Sequence, residues 1–281
     1  MTHTPSELRR LLAEHGLRLN KRLGQHYLID PHLTRRLIDS CHLRAEETII
    51  EIGAGLGALT GLLAKRVKQV IAVEVDPQIC RILAQRLKPF ANVHVCCQDI
   101  LTFPWSDYPG SKVVGAIPYL LTSRILVGLC EQAVRMPEAW LSVQQEVADR
   151  LTARPGSKAY GRLTVLVQYR FAVQALVRMS PHAFFPPPDV ASTWIHLRAH
   201  AQPPVALADE SWFFEVVKAA FAQRRKTLAN CLQRLESVRL SRSQTSQILQ
   251  DLGLSDRVRG ETLSLEQFAR LTERLRPFAP R

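Results

Sequence analysis

Hydrophobic residues in the first half of the chain follow two alternating patterns. Short apolar runs predict strands, and stretches in which apolar residues recur every three or four positions predict helices. From residue 48 the patterns alternate as strand, helix, strand, helix, strand over 48–52, 58–67, 70–75, 77–88 and 93–97, with a further strand at Val113 and Val114. This order is typical of a parallel sheet covered by helices. Two earlier helices are predicted at 5–16 and 31–41.

The rest of the chain completes the sheet and then changes character. Its patterns predict a helix ending near Gln132, a strand at 139–143, helices at 144–154 and 163–169, and a strand pair at 173–179 and 192–197. The proline-containing stretch 199–208 is the best linker candidate. Beyond it only helices are predicted, at 209–222, 225–238, 241–251 and 264–275. We therefore expect an α/β domain over residues 1–200 and a small all-helical domain over residues 201–281.

A glycine-rich turn follows the first strand of the alternating region. The sequence IIEIGAGLGALT places glycines at 53, 55 and 57 between that strand and the next helix. Glycine lets a turn close tightly and lets a ligand approach the backbone, although a purely structural turn would also fit. The spacing differs from that of the phosphate-binding loops. The pattern Glu51-x-Gly53-x-Gly55-x-Gly57 resembles the S-adenosylmethionine motif of Rossmann-like methyltransferases.

Acidic residues follow the next two strands. Glu74 lies 21 residues after Gly53, close to the spacing at which an acid reaches a ribose, and an acid at Asp99 can bond an adenine amino group. Ligands of open parallel sheets bind at the carboxyl ends of the strands. We therefore expect one pocket to collect the glycine turn, Glu74, Asp99 and the residues after Val114.

Aromatic residues beside prolines occur in two loops. Pro118 and Tyr119 follow the fourth predicted strand, and two phenylalanines, at 184 and 185, precede three consecutive prolines. Tyr119 could stack on a flat base, with one of the phenylalanines as the second wall. A core tyrosine and a rigid loop packed by apolar contacts are the alternatives.

The composition indicates a polyanionic partner. The 281-residue chain carries a formal charge of +12, with a pI of about 9.9, and nucleic acid is the usual partner of such a surplus. A basic surface that is merely solvated is the alternative. The candidate phosphate contacts are Arg18, Lys21 and Arg22 in an N-terminal arm, and Arg224, Arg225 and Lys226 between two predicted helices.

Other functional classes find no support in the sequence. The six cysteines and nine histidines lack the spacing of a metal site, and Cys96 and Cys97 are adjacent in a predicted buried strand, where two disulfides are hard to place. We expect reduced thiols, no metal and a cytoplasmic protein. No apolar stretch is long enough for a membrane span, and the N-terminus lacks the features of a signal peptide.

Ordered motifs from about residue 18 to residue 275 carry a resemblance. The chain resembles the KsgA/RsmA family of ribosomal RNA adenine N6-dimethyltransferases and the related Erm methyltransferases. The motifs are RLGQHYLID, EIGAGLGALT, VEVDP, CQDIL, GAIPYLLTS, FFPPPDVAS, FAQRRKTLANCL and RGETLSLEQFARL. The segments QQEV and SKAYGRL, with QRRKTL in the helical tail, point to the ribosome-maturation branch.

The resemblance implies a reaction and a set of site residues. It implies dimethylation at N6 of two adjacent adenosines in the 3′-terminal hairpin loop of 16S rRNA, coupled to small-subunit biogenesis, by a monomer acting on an immature 30S particle. Tyr119 and Phe184 would hold the base, beside Ala116, Ile117 and Pro118. S-adenosyl-L-methionine would contact His26, Leu28, Gly53, Gly55, Glu74, Val75, Asp99, Ile100 and Ala116.

Two positions depart from the family pattern. Ala116 stands where the family has an asparagine, whose side-chain oxygen would accept from the adenine amino group. Loss of one such hydrogen bond costs roughly 1–3 kcal/mol, or about 5- to 150-fold in rate. The backbone carbonyl of Ile117 remains as an acceptor. The second departure is the His26-Tyr27 pair, which replaces Asn-Phe and is expected to be tolerated.

Two hypotheses therefore remain open from the sequence. The first is an active rRNA adenine N6-dimethyltransferase. The second is an assembly factor that binds precursor small subunits with little or no catalysis, because Ala116 lacks the asparagine side chain. Methylation of DNA or of a small molecule is disfavoured by the basic arm and the basic helical tail.

Overall fold

The computed structural model describes residues 4–17, 26–235, 238 and 240–279. Contacts divide these residues into two units. The first comprises the described residues up to Ala148 together with Phe171–Ala199, and the second comprises Asp149–Arg170 together with those from His200 onward. Each unit has a hydrophobic core of its own.

The second division falls close to the expected boundary after residue 200, but the first one differs from the expectation. Residues 149–170, which the sequence placed in the first domain, group with the helical unit. Tyr160 and Val165 of this segment are buried in the same core as Phe213 and Phe268. The segment is thus an insertion from the α/β part of the sequence into the core of the helical unit.

The strands of the first unit form two sheets. Among the described residues, a seven-stranded sheet has the order β4-β3-β2-β5-β6-β9-β7, and a small sheet pairs β1 with β8. Their bounds are β1 Tyr27–Leu28, β2 Thr48–Ile52, β3 Gln69–Glu74, β4 Val93–Cys97, β5 Lys112–Ala116, β6 Glu138–Gln144, β7 Phe171–Met179, β8 Phe184–Phe185 and β9 Ser192–Ala199. Strands β2 to β6 are parallel, and β9 pairs antiparallel with both β6 and β7.

The helices follow the predicted order. In the first unit they are α1 Pro5–Glu14, α2 Pro31–Asp39, α3 Thr60–Leu63, α4 Pro77–Leu87 and α5 Thr122–Glu131, and α6 Gln145–Leu151 runs from the first unit into the second. The second unit contains α7 Arg162–Arg170, α8 Glu210–Ala220, α9 Leu228–Leu232, α10 Arg242–Asp251 and α11 Leu265–Leu275. No helix in the described ranges has the length and apolar character needed to cross a membrane.

Two helices are much shorter than predicted. The helix expected at 58–67 is limited to α3, since the glycine loop continues in turns up to Leu59 and turns resume after Leu63. The helix expected at 225–238 is limited to α9. Its N-cap is Thr227, whose hydroxyl accepts from the N–H of Asn230, so that the basic residues before it lie in turns.

Capping explains where the chain turns at the carboxyl ends of the strands. Asp76 follows β3, and its side chain accepts from the N–H groups of Gln78 and Ile79 at the start of α4. Pro77 occupies the first helical position, where no N–H is needed. The sequence Glu-Val-Asp-Pro thus ends the strand, exposes Val75 and begins the helix within four residues.

The registers align the strand ends that form the site. Ile52 lies opposite Val73 on one side and Gly115 on the other, and Glu74 lies opposite Cys97. The last residues of β2 to β5 therefore lie together at the carboxyl ends of these strands.

The prediction that Cys96 and Cys97 are buried is wrong, because β4 is an outermost strand of the sheet and Cys97 is exposed. All six cysteines are free.

A charged cluster lies at the amino ends of the parallel strands, opposite the cavity end of the sheet. The Lys112 ammonium, at the start of β5, lies 2.9 Å from Glu47 Oε1 and 2.6 Å from Glu138 Oε2. His196 of β9 lies 3.0 Å from the other oxygen of Glu138 and stacks on Trp140, with ring centroids 4.5 Å apart. These ion pairs keep the pKa of Lys112 above its usual value even though burial opposes this.

Candidate active site

A cavity of about 230 Å³ lies at the carboxyl ends of β2 to β5 in the first unit. The strand ends and the small β1–β8 sheet supply its walls. Every described residue that the sequence assigned to cofactor or base lies in these walls, namely His26, Leu28, Gly53, Gly55, Glu74, Val75, Asp99, Ile100, Ala116, Ile117, Pro118, Tyr119 and Phe184. The expected convergence on one pocket is therefore present in the fold.

The glycine turn forms one wall. Gly53, Gly55 and Gly57 have φ angles of +70°, +53° and +87°, which side chains rarely tolerate. A Cβ on Gly55 would lie 3.0 Å from the ring of Tyr27, and one on Gly53 would lie 3.3 Å from the carbonyl oxygen of Ala116. The turn can therefore pack against Tyr27 and Ala116 only because these side chains are missing.

Glu74 is fixed by backbone donors. Its Oε2 accepts from the N–H of Gly55 at 2.9 Å, and its Oε1 accepts from Val75 and Asp76 at 2.9 and 3.0 Å. Burial raises the pKa of Glu74, while these N–H donors act against the rise. A carboxylate offers about four acceptor positions, so Oε2 keeps one for a ligand hydroxyl.

The next strand end offers surfaces for a planar heterocycle. Asp99 accepts from the N–H of Leu101 through Oδ1 at 2.9 Å and begins the turn Ile100–Thr102. Its second carboxyl oxygen has no partner in the described part of the chain. Val75 is 45% exposed and supplies an apolar face at the cavity. A carboxyl oxygen that can accept from the amino group at the edge of adenine, beside an apolar side chain that can pack on its face, fits an adenine ring.

Glu51 is a buried acid that the sequence did not lead us to predict among the site residues. It is only 1% exposed and lines the cavity, and its Oε2 has no hydrogen-bond partner among the described residues. Burial, with a smaller contribution from the charge of Glu74, raises the pKa of Glu51 to about 8, although the neighbouring Thr60 acts against this rise. Glu51 is the first residue of the E-x-G-x-G-x-G motif, which could have marked it as a site residue. The strand pattern alone predicts only that this position is buried.

These features fit S-adenosylmethionine, which has a ribose, an adenine and positive charge but no pyrophosphate. The glycine wall admits its backbone contacts, Glu74 offers an oxygen for the ribose, and Asp99 offers one for the adenine amino group. The unpartnered oxygen of Glu51 suits a cationic group. Nowhere in the described ranges do three His, Cys, Asp or Glu side chains converge as metal ligands would.

Tyr119 stacks on His26 in this structure. The ring centroids are 5.4 Å apart and the planes differ by 27°. The Tyr119 hydroxyl lies 2.6 Å from the Ser192 hydroxyl, and burial raises the pKa of Tyr119. His26 Nδ1 lies 2.7 Å from the carbonyl oxygen of Pro186. The His26 side chain therefore links the loop that follows β5 to the proline-rich loop that follows β8.

Phe184 has a more structural environment than the sequence suggested. It is 3% exposed, pairs with Leu28 across the β1–β8 sheet and packs in the core of the first unit while touching the cavity. Phe185 lies under the guanidinium of Arg9, 5.2 Å from its ring centroid. The ring found against Tyr119 is that of His26, and a sandwich with Phe184 stays a prediction.

Ala116 ends β5 and lies opposite Ser142 of β6. Both residues line the cavity, and Ser142 is 3% exposed. The alanine brings a methyl group to a position where the family has an amide. The backbone carbonyl of Ile117 follows it, in a residue whose side chain is buried.

The residues predicted to contact phosphates have different surroundings in the structure. Arg18, Lys21 and Arg22 lie outside the described residues. Arg224 donates to the Lys158 carbonyl at 2.6 Å and to Glu261 at 3.0 Å, all within the second unit. Arg225 and Lys226 are exposed. Arg224 therefore has contacts within the helical unit, and its role toward RNA, like that of Arg225 and Lys226, stays a prediction.

Comparisons with known proteins identify the family. A sequence profile described as "Ribosomal RNA adenine dimethylase" matches residues 16–276. The chain belongs to this family. It is 38% identical to "Ribosomal RNA small subunit methyltransferase A" of Geobacillus thermodenitrificans over 98% of this chain and 97% of the relative, and 38% identical to the protein of that name from Bacillus mycoides over 97% and 96%. As a member of the dimethylase family, the chain is an S-adenosylmethionine-dependent methyltransferase.

Solved structures share the fold. A dimethyladenosine transferase from Plasmodium falciparum superposes with a TM-score of 0.78 at 22% identity, over 90% of this chain and 98% of that one. The 23S rRNA methyltransferase ErmE superposes with a TM-score of 0.68 at 29% identity, over 89% and 99%. The expected α/β methyltransferase fold is confirmed by these matches.

Proposed function

We propose that this dimethylase methylates N6 of two adjacent adenosines in the 3′-terminal hairpin loop of 16S rRNA, twice each, during small-subunit biogenesis. The observation that carries the proposal is the convergence of the family's site residues on one cavity, from the glycine turn to Tyr119. The similarity over nearly the whole chain to relatives named as small-subunit rRNA methyltransferases supports the substrate.

S-adenosylmethionine would occupy the part of the cavity lined by the glycine turn. When bound, it supplies an electrophilic methyl group on a sulfonium. Glu74 would accept from the ribose, Asp99 from the adenine amino group, and Val75 with Ile100 would pack on the heterocycle. Gly53 and Gly55 would let the backbone approach, with His26, just before β1, and Leu28 of β1 adjoining.

The target adenine must leave its stack to reach the cavity. Tyr119 offers a ring on which it can stack, and Phe184 is the proposed second wall. The Ile117 carbonyl would accept one N6 hydrogen, and Pro118 keeps that loop stiff. Holding the amine in line with the methyl group supplies most of the acceleration, because positioning converts a bimolecular reaction into a unimolecular one.

The RNA partner is supported by charge. The surplus of +12 favours a polyanion, and the exposed Arg225 and Lys226 are available for phosphates. Arg18, Lys21 and Arg22 are proposed as further contacts. We propose that a monomer acts in the cytoplasm on an immature 30S particle and needs no metal.

The alternative function, an assembly factor without catalysis, rests on Ala116 alone. The rest of the cavity argues against it, because a protein that only bound RNA would not need Glu74, Asp99 and Tyr119 around one pocket. The relatives named as methyltransferases also favour the enzyme.

The test is transfer of labelled methyl groups to unmethylated small subunits, with Ala116→Asn beside the natural chain. Turnover by the natural chain with label in adenine supports the proposal. Binding of the particle without turnover, together with turnover by Ala116→Asn, would establish the assembly factor instead.

A further inference from the structure

Two cysteines from different elements lie together just outside the cavity. Cys80 is buried in α4, and Cys97 is the exposed last residue of β4. The proposed function uses neither thiol. Their surroundings matter to it, because Gln98 and Asp99 follow Cys97 directly and line the cavity. The pair is therefore a reactive feature beside the pocket that methyl transfer leaves unexplained.

The packing of α4 on β4 places the two thiols opposite each other. Side chains of a strand alternate between its faces, so Cys97 shares a face with Val95, which packs in one cluster with Leu83 of α4. Cys80 lies one helical turn before Leu83, on the same side of α4. Because α4 starts at the carboxyl ends of the strands and runs back along the sheet, its first turn lies beside the last residues of β4.

Hydrogen bonds support this placement. The Cys80 thiol donates to the Glu74 carbonyl oxygen at 3.4 Å, and the same oxygen accepts from the N–H of Gln98 at 2.9 Å. Glu74 is also the register partner of Cys97 across β3 and β4. A hydrogen bond joins the two thiols, and burial together with this contact raises the pKa of Cys80. The two sulfur atoms are thus already neighbours in the reduced protein.

The two thiols differ in accessibility, and this difference sets the order in which they react. Cys97 is open to small molecules at the end of an outermost strand, whereas Cys80 is 6% exposed. The thiolate is the attacking form of cysteine, and the raised pKa of Cys80 keeps its thiol protonated. Cys97 therefore meets an external oxidant first. Cys96 points to the other face of the strand, away from Cys80.

We propose that Cys80 and Cys97 are a redox-active dithiol, which a small-molecule disulfide oxidises to an intramolecular disulfide that weakens cofactor binding. The Cys97 thiolate attacks one sulfur of the small disulfide and releases one thiol. The Cys80 sulfur then attacks Cys97 Sγ in the mixed disulfide and releases the second thiol. Two electrons pass from the protein to the small disulfide, and the two cysteine protons end on the two released thiols.

The effect on the cavity follows from which partner moves. The sulfurs of a disulfide are about 2 Å apart, much closer than two hydrogen-bonded thiols. Helix α4 is held by its Asp76 cap and by the packing of Leu83, whereas β4 has one neighbour among the described strands and runs into a turn at Asp99. The movement therefore falls on Cys97 and the residues after it. This step rests on the proposed function, in which the Asp99 carboxylate binds the adenine of the cofactor.

Peptide mapping tests the formation of the bond. The cofactor-free full chain is equilibrated with mixtures of oxidised and reduced glutathione, free thiols are alkylated, and the digest is examined by mass spectrometry. The natural chain and Cys96→Ala should both yield the disulfide between Cys80 and Cys97, which dithiothreitol opens again. Cys97→Ala should yield no intramolecular bond at Cys80. The two variants are matched, since each removes one thiol from neighbouring positions that are not fully buried.

Calorimetry tests the consequence for the cofactor. Oxidation of the natural chain should weaken the binding of S-adenosylmethionine about tenfold, the order of one hydrogen bond to a carboxylate, and reduction should restore it. Cys97→Ala should bind with the same affinity before and after the same treatment. An effect of oxidation at any other cysteine would lower the affinity of this variant as well.

Four results would overturn the inference. They are a mixed disulfide at Cys97 that does not close, a bond between Cys80 and Cys96, an unchanged affinity after closure, and an equal loss of affinity in Cys97→Ala. Failure of the proposed function looks different, because the reduced natural chain would then transfer no methyl group to the small subunit, whatever the disulfide map shows.

Discussion

The buried acid at the cavity gives the sharpest prediction for stability. Glu51 is fully buried with one unpartnered oxygen, and its pKa is raised from 4.5 to about 8. A carboxyl whose pKa is higher in the folded than in the unfolded chain stabilises the fold less as pH rises. Stability from this group is greatest below pH 4.5, falls as pH rises, and reaches its minimum above pH 8.

The magnitude follows from the two pKa values. Between them, the folded chain loses up to about 1.4 kcal/mol per pH unit, which amounts to about 2 kcal/mol from pH 6 to pH 8. Glu51→Gln removes the titration and leaves a neutral group of the same shape. The free energy of unfolding of the variant, relative to the natural chain, should therefore rise by about 2 kcal/mol over this interval. The amide carries its own cost, which is independent of pH.

Thermal unfolding of the cofactor-free protein at pH 6, 7 and 8 measures this difference. For a unit of this size, about 2 kcal/mol corresponds to a shift of about 4–8 °C. Glu46→Gln is the control for removal of a carboxylate, because that side chain is exposed. A parallel pH dependence in Glu51→Gln and the natural chain would refute the buried, unpaired carboxyl.

Three further changes have distinct expected outcomes. Tyr119→Ala should lower methyl transfer at least about tenfold and leave cofactor affinity within about threefold, since base stacking is worth about 1–3 kcal/mol; equal losses in rate and affinity, by calorimetry, would remove the stacking role. Arg225→Ala with Lys226→Ala should lower the salt slope of particle binding by about one to two, whereas Arg224→Ala should lower the melting temperature and leave the slope nearly unchanged; the reverse pattern would contradict the contacts seen for Arg224. Lys112→Met should destabilise the protein by about 1–3 kcal/mol in urea unfolding, because it removes the cation that two carboxylates share, while Glu47 keeps Arg44 and Glu138 keeps His196; a change below about 0.5 kcal/mol would mean that the Lys112 pairs contribute little.

The sequence was most informative where local patterns and a general rule of parallel sheets act together. Alternating strands and helices predicted β2 to β5, and the rule that ligands bind at strand carboxyl ends predicted one pocket for Gly53, Glu74 and Asp99. The apolar patterns also predicted helices that begin at residues 31 and 77, where α2 and α4 begin. These features depend on neighbours within a few positions, which is why a single sequence reveals them.

Long-range contacts could not be predicted in this way. The stack of His26 on Tyr119 joins positions far apart in the chain, and so does the ion pair of Arg224 with Glu261. The charge run around Arg224 looked uniform in sequence, but Arg224 forms an ion pair within the helical unit. The raised pKa of Glu51 also depends on packing from several elements, because burial is its largest cause.

The grouping of residues 149–170 shows the same limit. Helix α7 lies between two strands of the first unit in sequence, and position along the chain therefore assigned it to that unit. Its apolar residues instead complete the core around Phe213 and Phe268. Periodicity predicts that a helix has a buried face, but not which core buries it.

Analysis of the RNA product tests the central claim most directly. Unmethylated small subunits are incubated with the natural chain and S-adenosylmethionine, and the digested RNA is examined by mass spectrometry of its 3′-terminal hairpin fragment. We expect N6-dimethyladenosine at two adjacent positions of that loop and at no other site. Particles that bind the protein but carry no methylated adenosine there, or carry the label on another base, would contradict the account.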